Sequence, residues 1–345
     1  MRVLQVDSGR EWRGGQAQVW LLCRELTGAT DVEQILVTKQ DSELARRVAA
    51  AGAQVQATTW DIGLDPRAWW QLRRTIASFQ PDIIHVHDSH SLTLAATVAM
   101  GRHVVATRRA EFHIGRFGAW RRPDRIIAVS EAVKRVLVSD GIAADAVVVV
   151  PDGIDVEAVR RAAAESPPLD MRRRLRIAAG HPLAVNAAAL TGEKDHRTLV
   201  RAAGHARAVA PDLHWIIAGD GPLESQIANE ITRLALQDRV HLVGFVDRID
   251  ALIAEGDVFV LSSRQEGLGS VILHALALAR PVVATAAGGI PEILPADALV
   301  PPGAAEPLAQ KVVAALGQPV VLPYPSRFSA NAMAHGVLDV YRAFF

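Results

Sequence analysis

Short apolar, β-branched runs recur along the chain, each separated from the next by a stretch long enough for one helix. RVLQVD (residues 2–7), QILVT (34–38), DIIHVH (82–87), HVVAT (103–107), RIIAVS (125–130) and VVVVP (147–151) form a first series. LAVNAAAL (183–190), HWIIAGD (214–220), VHLVG (240–244), VFVLSS (258–263) and PVVAT (281–285) form a second. Runs that are apolar on both faces suit parallel strands covered by helices on either side. Amphipathic stretches such as RAWWQLRRTIASF (67–79) and HRTLVRAAGHARAVA (196–210) supply those helices. The alternation predicts α/β units joined by right-handed crossovers.

The series break where PDG (151–153) signals a turn and Pro167-Pro168 punctuates a polar stretch. The pattern therefore predicts an N-terminal doubly wound domain over 1–155, a linker over 156–175 and a second such domain over 176–328. Ligands of such sheets bind beyond the carboxyl ends of the strands, so two facing domains would hold a substrate in the cleft between them. The tail, SRFSANAMAHGVLDVYRAFF, predicts a last helix over 329–345. Ser329 is its N-cap and Met333, Val337, Val340 and Tyr341 make its apolar stripe.

Composition narrows the function classes. With 37 basic and 37 acidic residues among 345, the chain lacks the basic excess of a nucleic-acid binder. Its one cysteine, Cys23, rules out an intrachain disulfide and suits a reducing compartment. The opening MRVLQVDSG reads as a first strand and not a signal peptide. No apolar run approaches the roughly 20 residues of a membrane span. A soluble, cytoplasmic protein is the expectation, with contact at the inner face of a membrane left open.

Several local patterns carry chemistry. There is no G-x-x-x-x-G-K-[ST], no G-x-G-x-x-G and no D-x-D, and no Cys/His cluster suits zinc. WRGGQAQV (12–19) follows the first strand and opens a helix, so Gly14 and Gly15 bring backbone amides to a place suited to an anion. An ordinary strand–helix turn explains the same residues. Lys194 in ALTGEKDHRTL stands just past a strand end, where an ammonium holds a phosphate as a point charge or is simply solvated. In EGLGS (266–270) Gly267 and Gly269 permit a tight turn, and a helix is expected to begin near Ser270. Glu266 beside that turn would accept hydrogen bonds from hydroxyls or from a cationic neighbour. His274 follows one turn later among apolar residues, and a core histidine bonded to a backbone carbonyl is its plain reading.

EFHIGRFGAWRR (111–122) interleaves Arg116, Arg121 and Arg122 with Phe112, Phe117 and Trp120, with Arg108 and Arg109 just before. Such mixtures suit anionic headgroups or a phosphorylated acceptor, and equally a solvated loop. His85, His87 and His90 end a strand and enter a loop, where general bases, acceptor ligands and structural histidines are all found. His87, Arg108, Arg109 and His113 are the acceptor-side candidates.

In order along nearly the whole chain, WRGGQAQV, PDIIHVHDSH, IIAVSEAVKRVL, VVPDGIDVEAV, GEKDHRTLVRA, IAGDGPLESQI, VHLVGFVD and EGLGSVILHALALARPVVATAAGGIPEIL resemble blocks of the retaining glycosyltransferases of family 4. The resemblance implies a GT-B fold, with two facing Rossmann-like domains and the last helix crossing back onto the first. It implies transfer of a sugar, with retention and no obligatory metal or cofactor, from a UDP-, GDP- or ADP-sugar to a glycan or lipid-linked hydroxyl in cell-envelope synthesis. By position, Glu266 would hold donor-sugar hydroxyls, and Gly267, Leu268, Gly269 and Ser270 would face sugar and diphosphate. Lys194 would neutralise the leaving diphosphate, Gly14 and Gly15 would approach it, and Phe245 and Val246 would line the nucleobase. An epimerase or phosphorylase of the same fold, or an inactive nucleotide-binding relative, is the alternative.

Three positions depart from the family pattern. His274 replaces a glutamate that binds ribose, Ala189 replaces a phosphate-binding arginine, and Arg108 and Arg109 fall where a histidine is usual. A ribose contact at His274 predicts that His274→Glu keeps or tightens donor binding. Arg108 or Arg109 would make up for the arginine missing at Ala189.

Overall fold

The computed structural model describes residues 1–60, 65–115 and 117–345. They divide into two compact units: Met1–Gly153 with Ser326–Phe345, and Ile154–Pro325.

The first unit alternates strand and helix: β1 (Arg2–Asp7), α1 (Gly14–Thr27), β2 (Glu33–Lys39), α2 (Glu43–Ala50), β3 (Gln54–Thr58), α3 (Pro66–Phe79), β4 (Ile83–Val86), α4 (Ser89–Val98), β5 (His103–Arg108), β6 (Arg125–Ala128), α5 (Glu131–Ser139) and β7 (Val147–Val149). The sheet is parallel throughout, in the order β3-β2-β1-β4-β5-β6-β7. Strand β3 is absent from the apolar pattern. It is an edge strand, QVQAT, with only Thr58 buried, so nothing demands a two-faced apolar run. Polar side chains set the helix starts: Ser42, Asp65, Asp88 and Ser130 each accept a backbone N–H from the first turn of α2, α3, α4 and α5.

The second unit begins with α6 (Val156–Glu165) and α7 (Met171–Arg174), so the stretch read as a linker carries two helices. It continues through β8 (Leu183–Ala187), α8 (His196–Ala206), β9 (His214–Ala218), α9 (Glu224–Arg233), β10 (Val240–Gly244), α10 (Ile249–Glu255), β11 (Val258–Leu261), α11 (Val271–Ala277), β12 (Val282–Thr285), β13 (Leu299–Val300) and α12 (Ala305–Gly317). Its parallel sheet runs β10-β9-β8-β11-β12-β13. Helix α6 packs on α10 and α11, and the Arg160 guanidinium donates to the Ala277 carbonyl at 3.0 Å. On the other face α8 and α12 pack together over Ala184, Trp215, Val258 and Val283.

The chain then returns to the first unit as α13 (Ala330–Arg342), capped by Ser329 as the sequence predicts, with the Ala332 amide 3.1 Å from its hydroxyl. Met333, Val337, Val340 and Tyr341 join Leu22 and Leu26 of α1 and the strand residues Val3, Ile83 and Val105 in one core. Gly153 approaches this helix so closely that a Cβ there would lie 2.4 Å from the Ser329 carbonyl oxygen.

In each sheet the strand order reverses once, between β1 and β4 and between β8 and β11. A crevice forms at the carboxyl ends at such a reversal. Among the described residues no helix is long and apolar enough to cross a membrane.

Candidate active site

At the reversal in the second unit, two chain segments converge. Beyond β8 the chain makes a tight 3-10 turn, Gly192–Lys194, closed by Asp195 in the left-handed region (φ 45°). That conformation suits a short side chain that bonds locally, and Asp195 does so by capping α8 through Thr198. Beyond β11 come Ser262, Ser263, Arg264 and Gln265, then Glu266. The Ser262 hydroxyl donates to the carbonyls of Lys194 and Asp195 at 3.0 and 3.2 Å, which ties the two segments together.

The result is a close ion pair. Lys194 Nζ lies 2.8 Å from Glu266 Oε1 and 2.7 Å from Oε2, and the Ser263 hydroxyl donates to Oε2 at 2.9 Å. The side chains are 21% and 12% exposed, so each charge is compensated while an edge stays open to a ligand. Glu266 thus has the cationic neighbour foreseen as one of its two partners. Around it, Gly269 has φ 86°, and an added Cβ would meet Ile290 Cγ1 at 3.1 Å, which reserves the position for glycine. Leu268 is buried. Ser270 precedes α11 without a side-chain cap, and the Ile272 and Leu273 amides bond back to Gly269 and Ser270. The helix is seven residues long, so its dipole is small and Lys194 carries most of the attraction for an anion.

His274 is not the core histidine of the plain reading. Its Nδ1 lies 2.7 Å from Asp250 Oδ1, with side-chain exposures of 23% and 19%. Nδ1 donates to the carboxylate, and in the neutral tautomer that does so Nε2 is an acceptor. Asp250 sits in the first turn of α10, which follows Phe245, an exposed side chain, and half-buried Val246 at the end of β10. The His274–Asp250 bond therefore joins α11 to α10. Gly219 makes the neighbouring turn possible: its φ is 145°, and a Cβ there would lie 2.0 Å from the Ala188 carbonyl oxygen.

In the first unit, α1 opens at Gly14 after Arg13, which gives no side-chain cap, and a Cβ on Gly14 or Gly15 would meet nothing within 4 Å. Glycine there leaves open space and relieves no strain. Beside it lies a buried polar chain. Gln5 Nε2 donates to Tyr341 Oη at 3.3 Å, the tyrosine hydroxyl faces His85 Nδ1 at 2.5 Å, and His85 Nε2 faces Thr107 Oγ1 at 2.6 Å. Gln5 Oε1 accepts from His87 Nε2 at 2.8 Å. The Gln5 oxygen can only accept, which puts the His87 proton on Nε2 and leaves Nδ1 a lone pair without a partner among the described residues. Burial pushes the His85 pKa down to about 3 and holds His87 well below its ordinary value, helped by His85 and Arg109. Neither ring is a general base tuned to neutral pH, and His85 is structural.

Arg109 Nε bonds Asp152 Oδ1 at 3.1 Å inside this cluster. Burial, then the charge of Asp88, raises Asp7 to about 6, while the Gly9 amide, Gln16 and Arg109 oppose the rise. Asp7 and Asp88 are the residues that sequence reasoning missed here; their place at the carboxyl ends of β1 and β4 was the available signal. The other acceptor-side candidates lie elsewhere. Arg108 covers the Trp120 ring at 4.8 Å and donates to the Phe112 carbonyl, and His113 is held on Asp140 at the end of α5, 2.7 Å away. Arg109 is thus paired with Asp152, while Arg108 keeps a buried Nε without a partner among the described residues. His90 is exposed, and Arg116 lies outside the described residues. An open cavity of about 470 Å³ at the ends of β2 and β3 is lined by Gln40, Thr58, Gln71 and half-exposed Trp70. Among the described residues no three His, Cys, Asp or Glu side chains are grouped to hold a metal ion.

Two family descriptions match, one after the other along the chain: "Glycosyltransferase Family 4" over residues 12–158 and "Glycosyl transferases group 1" over 181–318. The chain belongs to glycosyltransferase family 4. This family 4 enzyme is 29% identical, over 80% of its length and 75% of the relative's, to the 2-deoxystreptamine N-acetyl-D-glucosaminyltransferase of Streptomyces fradiae. It is 27% identical, over 75% of its length and 68% of the relative's, to the 2-deoxystreptamine glucosyltransferase of Streptomyces kanamyceticus. Among solved structures, Anabaena HepE in complex with UDP and glucose superposes with a TM-score of 0.84 at 19% identity, covering 99% of this chain and 100% of the other. The two-domain α/β architecture of this glycosyltransferase is GT-B.

Proposed function

We propose that this glycosyltransferase moves a hexosyl or N-acetylhexosaminyl group, with retention, from a UDP-sugar to a hydroxyl of a small aminocyclitol-like polyol. The Lys194–Glu266 pair carries the reading. A diphosphate arriving beside Lys194 takes over the ammonium and frees the Glu266 carboxylate to accept hydrogen bonds from donor-sugar hydroxyls. Catalysis then lies in stabilising the departing diphosphate, with fixed charge placed where negative charge develops. Glu266 is engaged by Lys194 and Ser263, which suits an orienting acceptor better than a nucleophile. The leaving phosphate oxygen takes the acceptor proton as the acceptor hydroxyl attacks from the same face, which preserves the anomeric configuration.

His274 Nε2 and the Asp250 carboxylate would receive the ribose hydroxyls, and Phe245 and Val246 the base. In the first unit the amides at Gly14 and Gly15 are candidate anion contacts, and in the second Gly267, Leu268, Gly269 and Ser270 would line the sugar. His87 Nδ1 and Arg109 are the acceptor-side groups in the first unit. Support for UDP comes from the neighbour solved with it, and support for the polyol from the two relatives named for 2-deoxystreptamine. In this reading Lys194 supplies positive charge to the diphosphate.

The test incubates the enzyme with UDP-glucose and UDP-N-acetylglucosamine plus 2-deoxystreptamine, measuring released UDP and the anomeric coupling of the product. A β-linked product would end the retaining reading; donor binding without any UDP release would favour an inactive relative.

A second reading, a lipid-linked envelope acceptor, is favoured by the surface loop where Phe117 is 98% exposed near Arg121 and Arg122. Co-sedimentation with anionic vesicles that is lost in Phe117→Ser would support it.

A further inference from the structure

A cavity of about 540 Å³ opens in the second unit between the N-terminal end of α8 and the length of α9. Its lining includes none of Lys194, Phe245, Val246, Glu266 or His274. Three observations give it a chemical character.

The first is charge. Glu230, 7% exposed, accepts from Arg233 at 2.8 Å and Arg201 at 2.9 Å, with Arg197 at 3.8 Å. Three guanidiniums share one carboxylate, an excess of two positive charges. This shell holds Glu230 down at about 2, so the carboxylate does not titrate away near neutral pH. Among the described residues Arg197 has only the 3.8 Å contact, and it is 68% exposed, so its remaining donors are open to an anion.

The second is an unsatisfied acceptor in the wall. His196 lines the cavity and is buried, and its Nε2 lies 3.1 Å from Asn186 Oδ1. The Asn186 amide nitrogen donates to the Val260 carbonyl, so its oxygen must accept and the histidine proton sits on Nε2. His196 Nδ1 is therefore a buried lone pair with no partner among the described residues. Such an atom calls for a donor, and a ligand hydroxyl fits where a bare anion does not. Gln226 and Asn229 add amides to the same wall.

The third is connection. Arg264 in the wall bonds Asp195 at 2.6 Å and donates its amide to the Glu193 carbonyl at 2.7 Å. These residues flank Lys194 and Glu266.

We propose that this cavity is a binding site for a sugar phosphate, separate from the donor site, with the phosphate on Arg197 and Arg233 and a hydroxyl on His196 Nδ1. Occupancy draws on Arg264 and so alters the setting of the Lys194–Glu266 pair. The site is regulatory, because no reacting group lines it.

Titration calorimetry on the full chain with glucose 6-phosphate, inorganic phosphate and glucose tests this. Glucose 6-phosphate should bind, at least tenfold more tightly than inorganic phosphate, and glucose should not bind measurably. Arg197→Glu, an exposed position whose folding is checked by circular dichroism, should weaken glucose 6-phosphate at least tenfold and leave basal turnover unchanged. Lys194→Ala should leave its affinity within twofold. Where turnover is measured, glucose 6-phosphate should shift it at least twofold in the native enzyme and not in Arg197→Glu. The proposal is overturned by no binding at millimolar ligand, by equal affinity for inorganic phosphate, by binding that survives Arg197→Glu, or by binding lost in Lys194→Ala. The binding arms do not depend on the transfer reaction.

Discussion

Replacing His274 by glutamate would restore the residue usual in the family, and by resemblance alone donor binding should hold or improve. Asp250 reverses that expectation. In the native chain an imidazole N–H meets its carboxylate at 2.7 Å. In His274→Glu two carboxylates would stand roughly 4 Å apart, where like charges repel by about 1 kcal/mol in water and about 4 kcal/mol at an effective dielectric of 20. Both side chains are about one-fifth exposed, so a value near the middle, about 2 kcal/mol, is appropriate. That equals a factor of about 30 in an equilibrium constant, and protonation of the pair at lower pH relieves it. UDP titrated by calorimetry should bind His274→Glu about tenfold or more weakly at pH 8, with recovery towards pH 6. His274→Gln, which can still donate to Asp250, should stay within a few-fold of native. His274→Glu combined with Asp250→Asn should regain most of the loss, since an amide now donates to the new carboxylate. Native-like UDP affinity of His274→Glu at pH 8, with no effect of the second change, would refute the assignment.

Lys194→Ala should lower turnover about 10²–10³-fold by removing the main charge opposite the diphosphate, and Glu266→Gln should cost turnover more than stability; full activity in either would remove the pair from catalysis. Tyr341→Phe removes the hydroxyl between Gln5 and His85, so about 1–3 kcal/mol of stability should be lost in denaturant titration. Gly219→Ala should prevent the second unit from folding natively, because its Cβ would overlap the Ala188 carbonyl; an unchanged melting temperature would contradict the turn described. Stability should also fall from pH 7 towards pH 5. Burial depresses His85 to about 3 and His196 to about 4, whereas the unfolded rings titrate near 6.5. The unfolded chain therefore binds more protons below about pH 6.5, costing up to about 1.4 kcal/mol per pH unit for each ring. Asp7, raised to about 6, works in the opposite direction and offsets part of this. A melting temperature that stays flat from pH 7 to 5 would contradict the neutral buried rings.

Much of the fold is legible because parallel strands buried on both faces must be apolar along their length. Where that demand lapses, so does the signal: β3 is a half-exposed edge, and β13 is two residues long. The candidate site is legible in the sequence as conspicuous positions and not as partnerships. Glu266 and Lys194 are conspicuous beside their turns, yet no local pattern says that 72 residues of separation close to one ion pair. His274 was conspicuous as an imidazole in an apolar helix, but the carboxylate that explains it is supplied by another helix. Likewise the apolar stripe of α13 shows that Tyr341 is buried, while its hydroxyl partner His85 lies 256 residues away.

The return of α13 to the first unit bears on how the protein is made. The second unit is one continuous stretch, Ile154–Pro325, and can assemble as soon as it leaves the ribosome. The first unit emerges earlier but has to wait, with Leu22, Leu26 and the back of its central strands uncovered until Met333 to Tyr341 arrive. During that interval an apolar face is available to other chains. The enzyme's exposure to misassembly is therefore set by the time taken to translate an entire second unit.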